Sequence, residues 1–476
     1  MAIIRLNTPY TELRIRFAGR NCMGTWLAKV HLTQGWLPTT LFTLTALALA
    51  LLVLTGLTHG RWRTLLRQVA IAVGIGALGL LATWLVSDVF MLFGVSLGWM
   101  VIITVALGFL AVGFAVCILV TAHGWRRLLA ALSVLLCLLS TGLRVDIIYG
   151  EFTTLGSLFS VTLYPDYGSH QAARPAMSVA QWRARASRGD LPAHPRTGRS
   201  YSVHIPNDSS RFLARPADIY LPPAALSKKP PALPVFVLLA GQPGSPDRLF
   251  TAGSIPAMMD AYAAEHDGLA PVVVSPDQNG SSFHNSLCVD SPVYGKAETY
   301  LSRDVPRWIR ANLPVDSKPQ LWAIGGFSQG GTCSTQLGAR HPDVYGNMLP
   351  ADGELEPTQG RQDRMIHDYF GGDRKRFLAQ VPAKAIADRA PSSQRLFTAA
   401  GSNDKESQHN MMVIAKAADQ AGMSVEAVIT QGSGHDWHTV KTAWKPGLEW
   451  LGEAMGLGPI SQPVQDFPDI VEMNIS

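Results

Sequence analysis

Leu321-Trp322-Ala323-Ile324-Gly325-Gly326-Phe327-Ser328-Gln329-Gly330-Gly331 is the stretch on which the fold turns. A short apolar run suited to a buried strand enters a Gly-x-Ser-x-Gly sequence at 326–330, and a helix-compatible stretch follows. A strand–turn–helix setting of this kind bends the chain sharply. Its small residues leave the serine hydroxyl clear at the strand's end. Ser328 is therefore the candidate nucleophile, and an ester-like carbonyl is its target.

A serine hydroxyl is a poor nucleophile at neutral pH. It needs a base, and the base needs a third group to orient it. The strand expected at 396–399 runs into Ser402-Asn403-Asp404, which makes Asp404 the first choice of acid and Glu406 the second. The strand expected at 425–430 runs into Gly432-Ser433-Gly434-His435. Those glycines free the backbone to bring His435 over the sheet edge as base, whereas His438, one helical turn on, points away. The oxyanion formed on attack needs two donors. The backbone N–H of Gln329 is one, and the turn after the strand at 235–239, around Gly241 and Gln242, supplies the other. Asp277 reads as a loop-shaping residue. Asp352, Glu354 and Glu356 follow a further expected strand, either as structural groups or as pocket lining. His204 and His284 read as structural, and Trp444 and Trp450 as core.

Around these residues, strands at 201–205, 217–221, 235–239, 271–275, 321–324, 396–399 and 425–430 alternate with helices at 254–265, 297–312 and 407–421. The first two strands read as a hairpin. Alternation predicts an α/β fold, a mostly parallel sheet covered by helices on both faces. In such sheets sites form beyond the carboxyl ends of the strands, where every candidate above falls. The order serine, acid, histidine is that of the α/β-hydrolase fold.

The chain has 476 residues, more than one ordinary domain. Apolar stretches near 38–57, 69–91, 97–120 and 128–148 are long enough to span a bilayer, which takes about 20 residues each. The expected division is an N-terminal arm (1–37), a four-span transmembrane domain (38–149), a linker (150–197) with a short helix at 178–187, a hydrolase domain (198–458) and a tail (459–476). The spans carry an internal repeat. Gly35-Trp36 returns as Gly98-Trp99, and His59-Gly60-Arg61-Trp62-Arg63 returns as His123-Gly124-Trp125-Arg126-Arg127, offset by 63 or 64 residues. A duplicated hairpin puts both arginine-bearing loops on one side of the membrane. Arg61, Arg63, Arg67, Arg126 and Arg127 place that side in the cytoplasm and both chain ends outside. The arm carries Arg5, Arg14, Arg16, Arg20 and Lys29, mostly far from the first span, and an upstream start codon would account for it. Gly74-Ile75-Gly76-Ala77-Leu78-Gly79 matches a dinucleotide fingerprint but sits inside a span, where small residues serve close helix packing. No span carries a central Lys or Glu, so a transport path is not suggested.

Net charge is only +5, and the basic residues form no run, which argues against a nucleic-acid partner. Of five cysteines, Cys117 and Cys137 lie in spans and Cys22 in the arm. No Cys/His spacing suggests a metal, and no motif calls for a cofactor. If the hydrolase half is exported, Cys288 and Cys333 are candidates for a disulfide.

Three stretches carry a family resemblance: Glu298-Thr299-Tyr300-Leu301 through Asp304-Val305-Pro306-Arg307-Trp308, then Gly325-Gly326-Phe327-Ser328-Gln329-Gly330-Gly331, then Gly434-His435-Asp436-Trp437 with Trp444. Over roughly 198–455 the chain resembles the esterase family that includes esterase D-like enzymes and the secreted mycobacterial mycolyltransferases. With its four spans it looks like the membrane-anchored esterases of actinobacterial cell envelopes. The resemblance implies an α/β-hydrolase fold and a triad of Ser328, an acid and His435. Mycolyltransferases use a glutamate as the acid, and their motif around it has no match here. Asp404 suits the esterase branch better. The expected function is therefore a membrane-anchored serine esterase acting on an acyl or aminoacyl ester of an envelope lipid or glycolipid. Acyl transfer to a sugar or lipid hydroxyl is the alternative, and an inactive membrane scaffold is a third. The expected partners are the membrane and a lipid-linked ester substrate, with the catalytic domain extracytoplasmic.

Overall fold

Four apolar stretches form four helices in the computed structural model, which describes residues 26–27, 29–58, 62–90, 96–158, 164–169 and 174–475. The helices are α1 (Trp36–Thr58), α2 (Trp62–Trp84), α3 (Trp99–Thr121) and α4 (Trp125–Tyr149), and α2 runs on through a π-helical turn at Leu85–Val89. All four are long and apolar enough to cross a membrane, with mean hydropathy between 2.1 and 2.8. Each opens on an exposed tryptophan: Trp36, Trp62, Trp99 and Trp125. Amphipathic rings at helix ends suit the boundary between lipid and water. The chain before α1 meets the chain after α4, because Leu32 N donates to Thr153 O and Leu155 N to Val30 O. Both ends of the four-helix unit therefore lie on one side. A side chain at Gly76 or Gly79 would strike Leu110 or Phe109 of α3, which accounts for the small residues of the false fingerprint. Most of the arm, Cys22 and His59-Gly60-Arg61 lie outside the described residues.

The second half is built on nine strands: β1 (Arg199–Val203), β2 (Ala217–Leu221), β3 (Val235–Leu239), β4 (Val272–Ser275), β5 (Trp322–Phe327), β6 (Asn347–Ala351), β7 (Arg395–Gly401), β8 (Ser424–Thr430) and β9 (Ile470–Glu472). They form one sheet in the order β1-β2-β4-β3-β5-β6-β7-β8-β9. The pairings from β4 through β8 are parallel, whereas β1, β2 and β9 join antiparallel. Every residue of β3 and β5 is buried, as expected of central strands covered on both faces. Helices α5 (Ile255–Glu265), α6 (Val305–Asn312), α7 (Gln329–Arg340), α9 (Lys405–Gln420) and α10 (Trp437–Ala454) supply most of the cover, whereas α8 (Gln362–Phe370) packs in a separate cluster with Leu287 and Val289. This is an α/β-hydrolase fold preceded by a helical region.

The helix expected over 297–312 forms, with a π-helical turn at Tyr300–Asp304 between Ala297–Thr299 and α6. Two expectations need correcting. The stretch 150–197 is more than a linker. Glu151 and Phe152 engage the buried Arg248, and Trp182 is wholly buried with its indole N–H donating to Asp267 O. The tail at 459–476 closes the sheet edge, since β9 pairs with β8. Its three residues, Ile470-Val471-Glu472, are too few to announce a strand by alternation.

Candidate active site

Ser328 sits between β5 and α7 with φ 56° and ψ −121°, a strained conformation for a residue with a Cβ. Its neighbours make the bend feasible. A Cβ at Gly326 would lie 2.3 Å from Gly330 C and O, and one at Gly330 would lie 2.2 Å from Leu239 O. Only glycine fits at either position. The turn is fixed to the sheet because Ser328 N donates to Ala351 O at 2.9 Å.

The three candidates separated in sequence meet in one row. His435 Nε2 lies 2.7 Å from Ser328 Oγ, and His435 Nδ1 lies 2.8 Å from Asp404 Oδ2. Asp404 also caps α9, accepting from Ser407 N at 3.0 Å and Ser407 Oγ at 2.6 Å. Capping and orientation are thus one carboxylate's two tasks, and the cap fixes which way its free edge faces. Glu406 is exposed on α9 and makes no hydrogen bond to His435. His438 is exposed near the start of α10.

Carboxyl groups crowd the imidazole. Burial opposes its protonation, but the Asp404 hydrogen bond and the charges of Asp352, Asp404 and Glu354 outweigh burial and raise its pKa to about 9. Burial likewise works against the Asp404 carboxylate, yet the His435 and Ser407 bonds hold its pKa below the ordinary value. Burial, helped by neighbouring carboxylates, pushes Asp352 up to about 8 and Glu354 to about 7, against the pull of His435. The donor atoms of Asp352, Asp404 and His435 lie within 4.8 Å of one another, a spacing that would also suit a metal ion. Both ring nitrogens of His435 are already engaged by Ser328 and Asp404, which favours a proton relay over ligation.

Gln329 is the first residue of α7, so its backbone N–H belongs to the turn whose donors have no partner inside the helix. Gly241 lies beside the nucleophile: a Cβ there would meet Ser328 Cβ at 3.6 Å. Gln242 follows it, and its side chain donates to Phe283 O at 3.3 Å. Gln329 and Gly241 therefore border the serine. Asp277 binds Arg215 through both oxygens and shapes a loop. Glu356 accepts from Gln362 Nε2, His284 stacks on Tyr294, and His204 is exposed. Trp444 is buried in the core, and Trp450 packs half-buried against it.

A family model described as "Putative esterase" matches residues 214–450. A protein of Corynebacterium glutamicum, described only as uncharacterized, is 33% identical over 345 residues, covering 70% of this chain and 78% of that protein. The chain belongs to this esterase family. The esterase is also similar to the diacylglycerol acyltransferase/mycolyltransferase Ag85B of Mycobacterium leprae, at 34% identity over 103 residues, 20% of this chain and 30% of that protein. Among solved structures, an S-formylglutathione hydrolase from Agrobacterium tumefaciens aligns at 18% identity with a TM-score of 0.44, covering 54% of this chain and 95% of its own. Family membership makes the protein a serine hydrolase that hydrolyses esters or transfers acyl groups, with an ester as substrate.

The esterase holds one feature that sequence reasoning missed. The Gln329 side chain pairs with Asn279, Nε2 donating to Asn279 Oδ1 at 3.0 Å while Oε1 accepts from Asn279 Nδ2 at 3.1 Å. Nε2 also donates to Asn285 Oδ1 at 2.9 Å, and Gln278 bridges from Gln329 Oε1 to Ala240 O. All four amides are buried. The network ties the residue after the nucleophile to the loop before Gly241. Gln278 and Asn279 follow β4 at its carboxyl end, so the positional rule that found Asp277 extends to them. A disulfide joins Cys288 to Cys333, fastening the loop after Asn285 to α7.

Proposed function

We propose that this chain is a membrane-anchored serine esterase that hydrolyses an acyl or aminoacyl ester of a cell-envelope lipid or glycolipid. The row Asp404–His435–Ser328, at 2.8 and 2.7 Å, carries the reading. In it His435 takes the serine proton as Oγ attacks the carbonyl, and Asp404 holds the imidazole in the tautomer that accepts at Nε2. The backbone N–H of Gln329 and the Gly241–Gln242 turn face the developing oxyanion. One such donor is worth about 3 kcal/mol in the transition state. His435 then returns the proton to the leaving alcohol, and water releases the acyl group from Ser328 by the same steps in reverse.

Anchoring rests on the four apolar helices, and the outward orientation on Arg63, Arg67, Arg126 and Arg127 gathered at the ends of α2 and α4 opposite the hydrolase domain. The Cys288–Cys333 disulfide favours the same side, because such bonds persist in oxidising compartments. A lipid substrate is favoured by the position of the site: the last turn of α4 ends at Gly150, against Trp437, two residues beyond His435. Acyl transfer to a sugar or lipid hydroxyl is the second reading, supported by the similarity to Ag85B.

The test is labelling of intact cells with a membrane-impermeant fluorophosphonate, wild type against Ser328→Ala. Label on the wild type alone supports an outward-facing nucleophile. Label appearing only after lysis keeps the enzyme and reverses the orientation. Equal labelling of both proteins, or of neither when both are folded, sinks the triad. Incubating labelled lipid ester with and without a hydroxyl acceptor then separates hydrolysis from transfer.

A further inference from the structure

Asp352 follows β6 and is wholly buried. Its backbone is left-handed, with φ 48°, and its N–H donates to Ala399 O at 2.9 Å. That register turns its carboxyl toward the end of β7, where Oδ1 accepts from Gly401 N at 3.0 Å. Oδ2 is buried and has no hydrogen-bond partner among the described residues. A buried carboxyl oxygen left unpaired is costly, of order 1–3 kcal/mol, so the position calls for a function. The carboxyl lies within 4.8 Å of both His435 and Asp404. The sheet thus presents two acids to one histidine, from the ends of adjacent strands β6 and β7.

We propose that Asp352 is a positioning residue, a second carboxyl that stabilises the His435 imidazolium alongside Asp404 as the serine proton is transferred. This rests on the reading of His435 as the base for Ser328. Four acidic groups face His435: Asp404 beyond β7, Asp352 and Glu354 beyond β6, and Glu406 on α9. Asp436, beside it in its own loop, faces Asp352. The contribution of Asp352 to the charge on the imidazole exceeds that of Glu354. Asp404 keeps the hydrogen bond that sets the tautomer, so the two acids differ in task. Asp404 orients and stabilises, and Asp352, where ionised, adds field without contact. Proton transfer from Ser328 Oγ to His435 Nε2 creates the positive charge that both acids meet, and its return to the leaving alcohol removes that charge.

Asp352→Asn is the informative variant. Asparagine tolerates the left-handed backbone and keeps an acceptor for Gly401. Asp352→Gly is the second variant, which keeps the backbone and removes the side chain. The readout is the rate of fluorophosphonate labelling of the full chain in detergent as a function of pH. For both variants the acid limb is expected to move about one pH unit lower, and for Glu354→Gln by less. In an Asp404→Asn background, adding Asp352→Asn should lower the residual rate at least about tenfold further. A purely structural Asp352 would change the melting temperature and leave the limb in place, and that result overturns the proposal. So does an Asp404→Asn/Asp352→Asn protein as active as Asp404→Asn alone. If Ser328→Ala still labels, the triad itself has failed. If it does not and the limb stays fixed, only the role of Asp352 has.

Discussion

Trp437 donates its indole N–H to Glu151 Oε2 at 2.6 Å, tying the loop that carries His435 to the first residues beyond the last apolar helix. Glu151 Oε1 takes Arg248 Nε at 2.8 Å, and the Arg248 guanidinium lies 4.4 Å over the Phe152 ring. On its other side Trp437 packs on Phe327 at 4.8 Å, and Phe327 on the His435 ring at 5.3 Å. Phe327 is also the residue before Ser328. A continuous row of contacts therefore runs from the end of α4 to both the base and the nucleophile.

The two ends of this row should differ in weight. Trp437→Phe keeps the stacking and loses one hydrogen bond to a carboxylate, a loss of about 2 kcal/mol. Glu151→Ala strands the Arg248 guanidinium, which is almost fully buried, and removing one partner of such a pair costs about 3–5 kcal/mol. Denaturation of the full chain in detergent should rank Glu151→Ala well below Trp437→Phe. Equal stabilities would mean that Asp247, 3.6 Å from Arg248, carries the guanidinium by itself.

The raised pKa of His435 sets a pH dependence with two opposite consequences. Its base form is needed for attack, so kcat/KM should climb about tenfold from pH 7 to pH 8 and level off above about 9. The folded-state pKa lies above the ordinary histidine value of 6.5. Protonated His435 therefore adds stability fully present below about 6.5 and lost as pH rises through about 9. Activity and melting temperature should move in opposite directions across that window. A rate already flat at pH 7 would show that the surrounding carboxyls do not act on His435 as placed.

Much of this site was legible because its parts are local. Val235–Leu239 is apolar without interruption, and Ser328 and His435 sit in glycine-rich turns that only a strand end needs. Asp404 was legible as the acid candidate because it follows β7, and in the fold it caps α9 as well as holding His435. What stayed hidden depends on contacts between distant residues. Glu151 and Arg248 are 97 positions apart, and neither has a local pattern that names the other. The amides of Gln278, Asn279 and Asn285 are ordinary loop residues until folding buries them around Gln329. The π-helical turn at Tyr300–Asp304 keeps helical periodicity on both sides, so the sequence reads straight through it.

Gln329→Ala tests whether that amide cluster serves the chemistry. The backbone donor survives the substitution, but Asn279 and Asn285 lose their partners, at about 1–3 kcal/mol for buried amides left unpaired. A full 1 Å misplacement costs roughly 100-fold, and a smaller drift of the Gln329 N–H should lower kcat about tenfold. KM should change little, because the loss is confined to the transition state. Lower stability with unchanged kcat would make the cluster packing only.

The disulfide links the two halves of this support. Cys288 follows the loop that supplies Asn285, and Cys333 lies on α7 one turn past Ser328. The bond closes a loop of 45 residues, for which the chain-entropy relation gives about 4 kcal/mol, a ceiling in practice. A Cys288→Ala/Cys333→Ala protein should lose about 2–4 kcal/mol in denaturation and should label with fluorophosphonate more slowly. The amide cluster would then be held by hydrogen bonds alone. Maleimide modification of unfolded wild-type protein, taken from cells without reductant, should leave both cysteines unmodified. If both react, the bond is absent in the cell, and the support it lends to an outward-facing site goes with it.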